Sequence, residues 1–181
     1  ACKGNHESGI LDPNVTYSFN ELAKEAIKWT RNSVSEEDLN YLSEFKMSYS
    51  RENCFFVHAS PDYPERWQYL FSSSQASLCF NFFSERICFV GHTHVPAVFV
   101  DDGSSNVQNK VILEENKRYI INVGSVGQPR DGNPRCCFIL FDELEKSAEF
   151  IRLEYPVEKT QKKIAKCKLP EYLSARLPIG R

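Results

Sequence analysis

Two apolar runs rich in strand-forming residues break off directly into histidine-bearing loops, and no other feature of the chain restricts its fold as much. Cys54-Phe55-Phe56-Val57 passes into His58-Ala59-Ser60-Pro61, and Ile87-Cys88-Phe89-Val90 passes into Gly91-His92-Thr93-His94. Runs of β-branched and aromatic residues of this length favour strands. In α/β proteins, loops at the carboxyl ends of neighbouring strands converge at one edge of a sheet, where such folds place their sites. His6, His58, His92 and His94 are all the histidines in the chain. One strand-end histidine is usually a hydrogen-bonded structural residue, but three of the four lie in loops directly after such runs and the fourth sits in a polar loop signal of its own, which points to a shared centre.

The surrounding pattern is mixed. Phe19, Leu22, Ala23, Ala26 and Ile27 recur at three and four within residues 17–31, the period of an amphipathic helix, with Ser18 and Glu21 as a capping box. Ser35-Glu36-Glu37-Asp38 opens a second helical pattern through Leu39, Leu42 and Phe45. The two are expected to form a helical hairpin. Residues 67–83 suggest one or two helices. Further β-rich runs lie at 97–100, 119–123, 136–141 and 148–155, with turn signals at Asp101-Asp102-Gly103 and 143–146. An antiparallel set of hairpins is expected in this half. Residues 157–167 read as a basic amphipathic helix, and Pro170 starts a last short one.

At 181 residues, 41% hydrophobic and 25% charged, the chain suits one large domain with a real core, and collagen-like, disordered and disulfide-scaffold classes are excluded. A net charge of -2 gives no global field for nucleic acid or an anionic membrane. No apolar run approaches the roughly 20 residues that span a bilayer. The seven cysteines are scattered without any Cys-x-x-Cys, which fits reduced, buried thiols and a cytoplasmic setting better than a zinc-thiolate site.

The chemistry of the loops can be read residue by residue. In Gly91-His92-Thr93-His94, two imidazoles two residues apart can turn toward metal ions on one side. Gly4-Asn5-His6-Glu7 offers an amide oxygen as a hard ligand, then an imidazole able to donate a proton. A mixed nitrogen and oxygen set suits Mn, Fe, Zn, Ni or Co. Arg130 could clamp a phosphate or form a surface salt bridge, and Ser125 could approach a phosphate oxygen.

These blocks resemble the calcineurin-like metallophosphoesterases, whose signature runs Asp-x-His, Gly-Asp-x-x-Asp, Gly-Asn-His-Asp/Glu, a strand-end His, then Gly-His-x-His. Three of the five blocks occur in order, at Gly4–Glu7, His58 and Gly91–His94; Asn122-Val123-Gly124-Ser125 and Gln128-Pro129-Arg130 look like a further loop of small bacterial-type members. The resemblance implies an α/β fold of two packed mixed β-sheets flanked by helices. It implies two divalent ions, manganese first among the metals above. Asn5, His58 and His92 would ligate one ion and His94 the other. His6 would act as general acid while a metal-bridging hydroxide attacks a phosphomonoester or phosphodiester, with Ser125 and Arg130 binding the substrate. The expected partner is a phosphorylated small molecule or nucleotide, with no membrane. Asp-x-His and Gly-Asp-x-x-Asp are absent from residues 1–181, so a single domain over 1–181 is expected, forming the carboxyl-terminal portion of a longer protein. The alternative is a catalytically silent scaffold of the same fold.

Overall fold

The computed structural model describes residues 1–106 and 108–181. Three helices come first: α1 (Asn5–Leu11), α2 (Glu21–Ser33) and α3 (Glu36–Ser43). Helix α1 replaces the loop that the polar sequence suggests; its short apolar face of Gly9 and Ile10 is too small to show a period. The first predicted helix starts later than residue 17: Asn20 caps α2 by accepting from Ala23 N at 2.9 Å, and Pro13–Ser18 forms a 3-10 turn instead. Ser35 and Asp38 form the capping box of α3 as the sequence suggests. The two helices make no close hairpin, since both pack against α1 rather than mainly on each other.

Strands β1 (Ser48–Arg51), β2 (Cys54–Val57), β3 (Ile87–Val90), β4 (Ala97–Val100), β5 (Ser105–Asn106) and β7 (Tyr119–Asn122) form one mixed sheet in the order β1-β2-β3-β7-β4-β5. Strands β2, β3 and β7 run parallel; β1, β4 and β5 pair antiparallel. The hairpin expectation therefore fails at the centre. β7 inserts between β3 and β4, so these consecutive strands are not neighbours. Local turn signals cannot reveal such an insertion, because the pairing is made between residues distant in sequence.

Strands β6 (Lys110–Ile112), β8 (Cys136–Asp142) and β9 (Ser147–Leu153) make a second sheet, antiparallel throughout, in the order β6-β9-β8. The two sheets share a core: Phe89, Val98 and Ile121 of the first pack with Cys137, Ala148 and Phe150 of the second. On the other face of the first sheet, Ala76 and Cys79 of α4 (Ser73–Cys79) meet Cys88, Val90, Phe99 and Ile120. Ile120 and Ile121 point to opposite faces and are both 0% exposed. Each contributes about 1.5–3 kcal/mol by leaving water, so the centre of the sheet is the most firmly held part of the molecule. This is the two-sheet, helix-flanked α/β architecture that the motifs imply. Two terminal helices follow, α5 (Val157–Lys166) and α6 (Glu171–Ala175). No helix among the described residues is long and apolar enough to cross a membrane.

Candidate metal centre

The parallel strands β2 and β3 end side by side, and the site sits beyond their carboxyl ends. Gly91 N donates to His58 O at 2.9 Å, joining the two histidine loops. Cys2 bridges Lys46 in parallel, and the chain then turns at Gly4 into α1, carrying Asn5 and His6 to the same edge. The approach is close: an added Cβ at Gly4 would lie 2.7 Å from Glu7 Oε2 and 3.0 Å from the His58 ring, so one of them would have to shift. Glu7 accepts from Gly4 N at 2.8 Å and so fastens the start of the helix.

Three donor atoms meet here. His58 Nε2 lies 3.1 Å from Asn5 Oδ1 and 3.2 Å from His92 Nδ1. With metal–ligand bonds of about 2.1 Å, neighbouring donors of a tetrahedral or octahedral shell stand about 3.0–3.4 Å apart, so these separations fit one ion. Among the described residues, no three His, Cys, Asp or Glu side chains gather to hold a metal by themselves; the Asn5 amide completes the group.

His94 faces the same cavity, with Nδ1 2.7 Å from Gln128 O. A carbonyl only accepts, so Nδ1 carries the proton and Nε2 keeps its lone pair for a ligand. The cavity, about 730 Å³, has Glu7 as its one acidic lining residue among those described. These residues thus offer three donors suited to one ion, with His94 on the wall of the same cavity.

The histidine loop is held under backbone strain. His92 and His94 adopt φ 64° and 62°, left-handed conformations that each cost a non-glycine residue about 1 kcal/mol or more. Asn122 maintains them from beneath. Its buried amide donates to Gly91 O at 2.7 Å and Thr93 Oγ1 at 2.9 Å, while its Oδ1 accepts from Gly124 N at 3.1 Å. Sequence reasoning placed Asn122 in a loop motif without this role.

Electrostatics keep the rings neutral. Burial pushes the pKa of His58, His92 and His94 down to about 4; neighbouring His94, His58 and Arg130 respectively add to the effect. A metal therefore displaces no proton from these rings near pH 7. The Trp67 backbone raises the pKa of His92, yet no bond of ordinary geometry reaches its buried Nε2. His6 is open to water on the cavity wall; crowding by protein still lowers its pKa, Glu7 raises it and Arg130 lowers it.

Arg130 lines the cavity and forms no salt bridge among the described residues. Ser125 does not line it. Its Oγ accepts from Gln128 N at 2.9 Å and its carbonyl from Cys137 N at 2.8 Å, so it shapes the turn before Arg130. Arg66 and Trp67 are wall residues, as is Tyr69, which stacks on His92 at 4.3 Å. Tyr172 and Arg176 also line the cavity. Sequence reasoning passed over Tyr69, Tyr172 and Arg176, since no local pattern signals where the tail docks.

The calcineurin-like phosphoesterase superfamily domain matches residues 1–146, a span that holds Asn5, His6, His58, His92 and His94. The chain belongs to this superfamily. An uncharacterized protein of Methanocaldococcus jannaschii is 38% identical over 98% of the chain and 74% of its own length. The crystal structure of a metallophosphoesterase from Sphaerobacter thermophilus superposes with a TM-score of 0.88 at 34% identity, over 98% of this chain and 75% of that one. A hypothetical protein from Pyrococcus horikoshii OT3 shares the fold alone, with a TM-score of 0.79 at 18% identity over 97% and 71% of the two chains. The calcineurin-like fold thus accounts for both the two-sheet architecture and the site at its edge.

Proposed function

We propose that this protein hydrolyses a phosphate ester, a phosphomonoester or phosphodiester of a small molecule or nucleotide, with bound divalent metal. The placing of Asn5 Oδ1 and His92 Nδ1 at 3.1 and 3.2 Å from His58 Nε2 carries this reading. These residues would hold one ion, and His94 would contribute to a second. Manganese is the first choice, with Fe, Zn, Ni and Co suited to the same donors. Such ions, when bound, supply Lewis-acid chemistry: they lower the pKa of water and neutralise charge developing on the phosphoryl oxygens.

The chain's own residues supply the rest. Arg130 offers guanidinium donors to phosphoryl oxygens. His6 handles the proton. Its ring is drawn toward the neutral form by its surroundings, but a phosphate dianion alongside favours the imidazolium, which can then protonate the leaving oxygen. Tyr69 on His92, and Trp67 edge-on to His58 at 6.0 Å, fix the planes of the ligand rings. The seven unpaired cysteines favour a reducing, cytoplasmic setting.

A second reading is a silent scaffold of the same fold, which has no need of a proton donor at His6. One assay decides between the two. The full-length protein with added manganese should hydrolyse p-nitrophenyl phosphate or bis-p-nitrophenyl phosphate, and His6→Ala should lower kcat by roughly 10²- to 10⁴-fold with the metal content unchanged. Bound metal without turnover in the wild type would leave the scaffold.

A further inference from the structure

One wall of the cavity comes from residues beyond the matched superfamily domain, which ends at residue 146. Tyr172 and Leu173 of α6, together with Arg176, face the same space as His6 and His94. This tail is anchored on the loop that carries Arg130. Gly132 N donates to Gly180 O at 3.0 Å. Gly180 has φ +63°, and a Cβ there would stand 2.6 Å from Asn133 N, so the approach admits no side chain. Leu177, 5% exposed, buries the turn between Arg176 and Gly180.

The tail adds a second guanidinium, that of Arg176, to the cavity that Arg130 lines, and Glu7 is the one acidic lining residue among those described. Neither Arg130 nor Arg176 forms a salt bridge with Asp or Glu among the described residues. Arg130 Nη2 donates to Gln128 Oε1 at 3.2 Å, and its buried Nε has no acceptor. Arg176 Nε donates to the Arg181 main-chain oxygen, and its guanidinium lies 5.2 Å from the Tyr172 ring centroid. Two partly desolvated like charges in one cavity destabilise each other, and an anion between them relieves both. On the reading above, the metal held by Asn5 and the histidines would carry the reacting phosphate, which leaves the two guanidiniums for further anionic charge. Of the aromatic walls, Tyr69 is already stacked on His92 at 4.3 Å and on Phe71 at 5.5 Å, and Tyr172 carries the Arg176 guanidinium over its ring.

Resting on the reading of this cavity as a phosphate site, we infer that Arg130 and Arg176 clamp a second phosphate group, so the preferred substrate carries two phosphates rather than one. Arg176 is then the residue of the tail that sets specificity.

Calorimetric titration of the full-length protein in metal-free buffer separates this clamp from the metal chemistry. Inorganic pyrophosphate should bind the wild type about tenfold more tightly than inorganic phosphate, and Arg176→Ala should remove about tenfold of the pyrophosphate affinity while changing that for phosphate less than about threefold. Arg176→Lys should restore part of the difference, since it keeps the charge and loses the fork. Unchanged pyrophosphate affinity in Arg176→Ala, or equal losses for both ligands, would overturn the inference. Circular dichroism reports whether the variant folds, and Arg176→Gln carries the same comparison if Arg176→Ala does not. A protein that prefers pyrophosphate but shows no manganese-dependent turnover would refute the hydrolase reading and leave the clamp standing.

Discussion

Asn122 shows how a residue that touches no ligand can govern a site. Its side chain is 0% exposed and satisfies Gly91 O, Thr93 Oγ1 and Gly124 N at once. It thereby holds the left-handed turn from which His92 and His94 project. Asn122→Leu strips Gly124 N of its acceptor and takes one partner each from Gly91 O and Thr93 Oγ1, which keep Thr93 N and Val95, and should destabilise the fold by about 1–3 kcal/mol in denaturant titration. It should also weaken manganese binding about 10- to 100-fold, as loss of a supporting hydrogen bond does elsewhere. Wild-type metal affinity in a destabilised variant would show that the loop keeps its shape unaided. At this scale the sequence is informative about ligands and silent about their support. Imidazoles after apolar runs announce themselves by type and position, whereas an asparagine serving backbone groups looks like any turn residue. Ser125 illustrates the reverse case: its hydroxyl suits a phosphate by type, but it accepts from Gln128 N and lies outside the lining of the cavity.

Among the elements, strands were legible and their neighbours were not. The runs at Cys54–Val57, Ile87–Val90, Ala97–Val100 and Tyr119–Asn122 follow from composition. The insertion of β7 between β3 and β4 does not, because it rests on long-range pairing. Helix α5 was expected from its charge pattern, yet the role of the tail emerges only where Gly180 meets Asn133. Gly180→Ala tests that anchor. The added methyl cannot fit without displacing the tail, so the variant should lose the pyrophosphate preference to about the extent of Arg176→Ala, roughly tenfold. Retention of the full preference in the same titration would mean that Arg176 is positioned by other contacts.

Across the whole molecule, three layers place the site. Sheet against sheet and α4 against sheet fix the ends of β2 and β3, the Cys2–Lys46 bridge and the turn into α1 bring Asn5 alongside, and the tail forms one wall. The two-sheet architecture was accessible through the motifs rather than through periodicity, since no local pattern specifies how sheets stack. The central claim is that Asn5, His58 and His92 together form a divalent-metal centre. Its most direct test is calorimetric titration of manganese into metal-stripped full-length protein, for the wild type and for Asn5→Ala, with circular dichroism confirming the fold of both. The account predicts saturable manganese binding in the wild type and at least about a tenfold weaker interaction in the variant, as expected when one of three protein ligands is removed. Equal affinity in the two proteins, or no binding in the wild type, would contradict it.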